Sequence, residues 1–236
     1  KILTSSVDQT ARIWDAVTGT ELIRMEGHTA SISQATLSQD ESKVLTLSSH
    51  PDNTVRLWNA ATGKELVRLE GHVSEIWQAT WSKDESRILT SSSDNTARIW
   101  DAVTGKELVR LTGIGKSKDG LAIWSQDESK ILTRSGYPDD IAYVWDVATG
   151  TKLLKFENVS YVSWNKDGSK ILCACYDDTV RIFDAATGEE LLKIIHPGYV
   201  DAAVWSQDET VIFTSGYAIP PNFYKWDAST GEKFLE

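Results

Sequence analysis

Six aromatic residues recur along the 236-residue chain at a nearly constant interval. Trp14, Trp58, Trp100, Trp145, Phe183 and Trp226 are separated by 44, 42, 45, 38 and 43 residues. Four residues after each comes Thr-Gly, at Thr18-Gly19, Thr62-Gly63, Thr104-Gly105, Thr149-Gly150, Thr187-Gly188 and Thr230-Gly231. Two copies are nearly identical: SSVDQTARIWDAVTGTELIRM at residues 5–25 and SSSDNTARIWDAVTGKELVRL at 91–111. A fixed period of this length is the mark of one supersecondary unit written repeatedly, so the fold must be a stack or ring of such units.

Each unit reads as strands. IWQATWS (76–82), RILTSSS (87–93), TARIWD (96–101) and ELVRL (107–111) are short and rich in β-branched and aromatic residues. Asp, Asn, Ser and Gly fill the breaks KDES, DN and AVTG, where the backbone must reverse. No segment sustains a helical period. These strands are named a, b, c and d in chain order. A lone four-stranded meander cannot bury its two faces, whereas meanders arranged around an axis share a core, which is a β-propeller. The expected fold is therefore all-β. It has five complete four-stranded antiparallel blades (27–70, 71–112, 113–157, 158–195, 196–236) and strands b, c and d of another (1–26), in one domain over 1–236. With the first blade incomplete, two expectations follow: a piece of a longer product, or self-association through the open blade.

Gly27-His28 and Gly71-His72 stand just before strand a, and Trp14-Asp15, Trp100-Asp101, Trp145-Asp146 and Trp226-Asp227 end strand c. In these motifs and in its register the whole chain resembles the WD-repeat β-propeller family, in particular bacterial-type members with highly similar repeats. The resemblance implies a scaffold or sensor role, possible fusion to an effector or signalling domain in a longer parent chain, and a buried network in each regular blade. His28, Thr46, Asp52 and Trp58 map onto one such network, and His72, Thr90, Asp94 and Trp100 onto another. In chemical terms the Asp accepts from a His ring N–H, the other ring nitrogen meets the hydroxyl, and the Trp N–H donates. The set decays elsewhere. The His is lacking at Ile114-Gly115, Cys173 and Phe183 replace the hydroxyl and the Trp, and Pro220 falls where an Asp is expected beside His196 and Thr214.

A His–Asp–Thr cluster can be mistaken for a catalytic triad. Its recurrence from blade to blade argues for structure, because an enzyme needs one site. No catalytic residue, cofactor or metal site is therefore assigned. The four histidines, at 28, 50, 72 and 196, make no zinc-spaced pairs. GIGKSKDG (113–120) lacks the second glycine and the helix of a phosphate loop and reads as a lengthened connection. Cys173 and Cys175 read as small buried hydrophobes in a reducing, cytoplasmic setting. Arg12, Arg56, Arg98 and Arg181 face strand-d acids such as Glu21, Glu65 and Glu107, and are expected to form solvated cross-strand ion pairs. The net charge of −10, with no basic run of four residues, argues against nucleic acid and anionic membrane as partners. No apolar run reaches the roughly 20 residues of a membrane helix, and no leader is visible in a sequence that opens on Lys1.

The units differ at one end only. The a–b turns (SQDES, SKDES, NKDGS) and c–d turns (DAVTGK, DAATGE) barely change. The b–c loops SSHPDN (48–53), SGYPDD (135–140) and SGYAIPP (215–221) are longer than the others, and the d–a loops diverge. Constant strands carrying variable loops suit a partner-binding face. The candidates on this top face are His50, Pro51, Tyr137, Pro138, Tyr217, Ile219, Pro220, Pro221 and Trp77. Trp77 stands in a column otherwise occupied by Ser33, Gly120, Ser160 and Asp201. Packing on neighbouring blades is the competing reading for all of them. The function expected is protein or peptide binding without catalysis. Two alternatives are a hydrolase- or lyase-type site at the central channel mouth and a purely architectural, amplified or engineered ring.

Overall fold

The computed structural model describes residues 1–116, 120–216 and 222–234, and every regular element in it is a β-strand. Tyr217, Ile219, Pro220 and Pro221 lie outside the described residues. Six antiparallel sheets follow one another, each a meander in chain order. The first comprises Ile2–Ser5, Ala11–Trp14 and Glu21–Met25. The second comprises Ile32–Leu37, Lys43–Ser48, Val55–Asn59 and Glu65–Leu69, and the third Ile76–Trp81, Arg87–Ser92, Thr96–Asp101 and Glu107–Thr112. The fourth runs Leu121–Trp124, Lys130–Arg134, Ile141–Asp146 and Lys152–Glu157; the fifth runs Val159–Trp164, Lys170–Cys175, Thr179–Asp184 and Glu190–Ile195. The sixth has Val200–Trp205, Val211–Gly216 and Asn222–Asp227, with its fourth strand represented among the described residues by the bridge Trp226–Lys233. The chain divides into two compact units, Lys1–Ala122 and Ile123–Glu236.

The invariant turns are local chemistry. In the a–b turn of the third sheet Asp84 accepts from Ser82 Oγ at 2.7 Å, Ser86 N at 3.0 Å and Ser86 Oγ at 2.8 Å, while Glu85 takes a left-handed φ of 57°. In the c–d turn Asp101 accepts from the Val103 and Thr104 amides and the Thr104 hydroxyl, and Gly105 takes φ 71° while donating to Asp101 O. These are Asx-type turns, which is why Asp, Ser, Thr and Gly recur there. The turns also lock to one another, as in Ala102 N to Ser86 O at 2.9 Å.

Packing between sheets supplies the core. In the first unit Leu45, Leu47, Val55, Leu57 and Leu69 of the second sheet meet Ile76, Ala79, Ile88 and Trp100 of the third, all at most 3% exposed. Each large side chain so buried contributes roughly 1.5–3 kcal/mol, and none would be buried in an isolated sheet. In the second unit Leu172, Val180, Ile182 and Ile194 meet Val200, Ala203, Ile212 and Trp226 in the same way. Gln34 clamps the free edge of the third sheet: its amide nitrogen donates to Ala79 O at 2.7 Å and its oxygen accepts from Ala79 N at 3.2 Å. Both backbone groups of Ala79 on this edge strand are thereby satisfied.

Candidate functional site

The opposite end of each sheet holds the b–c loop and the preceding d–a segment. Backbone bonds join the two, Ser49 N to Ser31 O at 2.8 Å, Ser93 N to Glu75 O at 2.9 Å and Tyr176 N to Asn158 O at 3.0 Å. Under this end lies the polar network. In the third sheet Trp100 Nε1 donates to Thr90 Oγ1 at 2.8 Å, and the Thr90 hydroxyl meets His72 Nε2 at 2.8 Å. His72 Nδ1 donates to Asp94 Oδ2 at 2.8 Å. The second sheet repeats this with Trp58 to Thr46 at 2.7 Å, Thr46 to His28 at 2.8 Å and His28 to Asp52 at 3.3 Å. A neutral imidazole with its proton on Nδ1 satisfies every partner. Burial, followed by the nearby Arg56, lowers His28 to about 4, and burial likewise lowers His72. Burial acts to raise Asp52, but hydrogen bonds from Thr54, the Thr29 amide and His28 outweigh it and bring Asp52 to about 2.

The arginine column departs from the expectation. Arg56 and Arg98 are buried, at 3% and 4% exposure, and belong to the network. Arg98 donates to Asp94 at 3.1 Å and to Glu107 at 2.9 Å; Arg56 reaches Asp52 at 3.3 Å and Glu65 at 2.9 Å. The lid is the Gly-His segment. Gly71 adopts φ +145° directly over the guanidinium, where an added Cβ would lie 2.6 Å from Arg98 Nη1. Arg12 and Arg181 keep the pairs Arg12–Glu21 and Arg181–Glu190, both at 3.3 Å, but their side chains remain 23% and 26% exposed. Gly71→Ala is therefore expected to cost roughly 1–3 kcal/mol through backbone strain and displacement of Arg98. Gly19→Ala, whose Cβ would meet nothing within 4 Å, is expected to cost less. Urea melts of the two variants check the ranking.

The fourth and sixth sheets exchange the ion pair for another device. Tyr143 and Lys152 occupy the Arg and Glu positions of the fourth sheet, with Lys152 Nζ 3.7 Å from the ring centroid. Tyr224 and Lys233 do the same in the sixth at 4.2 Å. These are cation–π contacts. Ile114 fills the histidine position and is fully buried. In the fifth sheet Phe183 packs against Phe156 of the fourth with centroids 4.7 Å apart and planes inclined by 43°, and Cys173 and Cys175 are buried and free. In the sixth sheet His196 turns to Gly198 O at 2.7 Å and its Nε2 is buried without a partner among the described residues. Among the described residues no group of three His, Cys, Asp or Glu is arranged to hold a metal.

The candidate contact residues fall in both units. In the first, His50 and Pro51 are exposed, and His50 Nδ1 lies 3.2 Å from Asn53 Nδ2. Trp77 is the extra residue of a β-bulge between Ile76 and Gln78, half-buried, with its indole N–H buried and unpartnered among the described residues. The equivalent bulges place Ser33, Ser160 and Asp201. In the second unit Tyr137 is 81% exposed and Pro138 is exposed beside it. Around them are residues that sequence reasoning passed over. Tyr176 and Tyr199 pair with ring centroids 5.8 Å apart and planes inclined by 43°. Burial, then Asp140, pushes Tyr176 up to about 12, and burial with Asp201 raises Tyr199. Arg134 interacts with both tyrosines. A signal for Arg134 was available, since the same strand-b column otherwise reads Ser5, Leu47, Ser91, Ala174 and Ser215.

Comparison with known proteins agrees with this geometry. The family model described as "WD domain, G-beta repeat" matches residues 19–59 and 63–101. The model of the "Anaphase-promoting complex subunit 4 WD40 domain" matches residues 114–208. No curated protein matches the chain. Among solved structures, the computationally designed Ika8 protein is similar at 22% identity and a TM-score of 0.72, covering 99% of this chain and 70% of that one. The C-terminal WD40 domain of Sif2 is similar at 19% identity and 0.73, covering 98% and 67%. At these identities the likeness shows the fold.

Proposed function

Because this chain belongs to the WD-repeat β-propeller family, whose domains generally mediate protein–protein interactions, we propose that it is a non-catalytic interaction module. It holds a protein or peptide on the b–c and d–a loops. One observation carries the reading: the units keep one end constant, turn for turn, and vary the other. Turns made by Asp, Ser and Gly need no variation to fold, so diversity confined to the loop end is diversity of what the end contacts. Tyr137 adds a large, rigid, amphipathic surface there, 81% exposed, of the kind that anchors interfaces. We further propose a cytoplasmic setting, consistent with two unpaired thiols.

Partner capture by the intact protein tests this. Tyr137→Ala and Trp77→Ala are each expected to weaken capture, by about 2 kcal/mol or thirtyfold where the residue is an anchor. Val17→Ala, in a c–d turn and 94% exposed, is the control and should change nothing. Undiminished capture by both aromatic variants would move the contact off the loop end.

A further inference from the structure

We propose that the loop end of the second unit seats a basic side chain, Lys or Arg, of a partner peptide, between the Tyr176–Tyr199 pair and the carboxylates of Asp140 and Asp201. The proposal rests on the loop-end reading above and names the chemistry it would select.

The two phenol rings come from different connections. Tyr176 lies in the b–c loop of the fifth sheet, and Tyr199 in the segment entering the sixth. Each is 37% exposed, so ring surface is open although the pair is anchored. Both anchors are backbone bonds: Tyr176 N to Asn158 O at 3.0 Å, and His196 N to Asp178 O at 2.8 Å. The two rings, 5.8 Å apart and inclined by 43°, leave aromatic surface to which a cation is attracted.

The surrounding charge has the matching sign. Asp140 and Asp201 act electrostatically on Tyr199, and Asp140 also on Tyr176. Asp140 Oδ1 is buried without a partner among the described residues. Asp139 occupies the network position that Asp52 and Asp94 fill in other sheets. Here, however, Tyr143 replaces the Arg that would hold it, and its carboxylate is exposed. Asp178 adds a fourth carboxylate, exposed in the b–c loop of the fifth sheet, and the cation acting on both tyrosines is Arg134. An acidic rim around an aromatic pair favours Lys or Arg and disfavours Asp or Glu.

The test is tyrosine ring-carbon NMR of the whole protein, with Tyr176→Phe and Tyr199→Phe assigning the two signals. The probes are acetyl-Gly-Arg-Gly-amide, acetyl-Gly-Lys-Gly-amide and acetyl-Gly-Glu-Gly-amide. The basic peptides should shift both rings saturably and the acidic one should not. In Asp140→Asn/Asp201→Asn, binding should weaken about fivefold or more. Rings indifferent to both basic peptides overturn the proposal, and so do equal shifts from the glutamate peptide. A captured partner that depends on Tyr137 but leaves Tyr176 and Tyr199 unperturbed would defeat this seat and leave the loop-end reading standing.

Discussion

Asp94→Ala is expected to destabilise the protein by about 3–5 kcal/mol, the scale for removing one partner of a buried ion pair. The side chain is 2% exposed and accepts from five donors. They are His72 Nδ1 at 2.8 Å, Arg98 Nη2 at 3.1 Å, Val73 N at 3.3 Å, Thr96 N at 3.0 Å and Thr96 Oγ1 at 2.6 Å. Alanine removes the acceptor from all of them, and Arg98, 4% exposed, keeps only Glu107 as a carboxylate partner. Asp94→Asn should fall between wild type and alanine, since an amide oxygen can still accept but the charge is gone. Asp8 is the corresponding residue of the first sheet and pairs with Arg12 at 2.5 Å. It has 46% exposure and no histidine beside it, so Asp8→Ala should leave the urea midpoint nearly where it was. Equal losses for the Asp8 and Asp94 variants would refute the burial argument, because the pairs differ mainly in what covers them.

That contrast also marks how far the sequence is legible. The sheets, their turns and the His–Thr–Trp chain are readable because each is local or repeated: a period of about 43 residues, Asx turns, and polar residues recurring in fixed columns. The fate of the arginines is not. A list of residues places Arg98 opposite Glu107 but does not show that Gly71, at φ +145°, closes over the guanidinium. Burial there depends on a segment some 27 residues away and on a backbone conformation open chiefly to glycine. The Tyr143–Lys152 and Tyr224–Lys233 pairs are visible in the sequence as paired departures from Arg and Glu. Only the structure shows, at 3.7 and 4.2 Å, that one cation–π contact replaces one ion pair. Trp77 stands out in its column as an anomaly, and it is one. Its half-burial and its buried indole N–H, unpartnered among the described residues, are features that no column of this sequence specifies.

Mild acid is expected to weaken the fold before any carboxylate of the network titrates, and His28 is the main agent. Its side chain is fully buried and its folded value is lowered from 6.5 to about 4, by burial first and Arg56 second, with Asp52 and Glu65 acting in the opposite sense. Between pH 6.5 and 4 the unfolded chain therefore binds a proton on this ring that the folded chain refuses. The unfolded state binds more protons, so stability rises with pH across the window and falls on acidification. The loss approaches about 3 kcal/mol at the bottom of the window, because each pH unit separating the folded and unfolded values is worth about 1.4 kcal/mol. His72, also lowered by burial, adds to it in the same direction. Asp52 acts in a second window. Its folded value of about 2 makes its contribution complete above about pH 4 and lost only as pH drops toward 2. Urea midpoints measured from pH 7.5 to 4 should thus decline in wild type. His28→Gln, which lacks the titrating ring, should start less stable and decline less. Parallel decline of the two proteins would mean that the ring is protonated in the fold, and the neutral Nδ1–H tautomer that links Thr46 to Asp52 would be wrong.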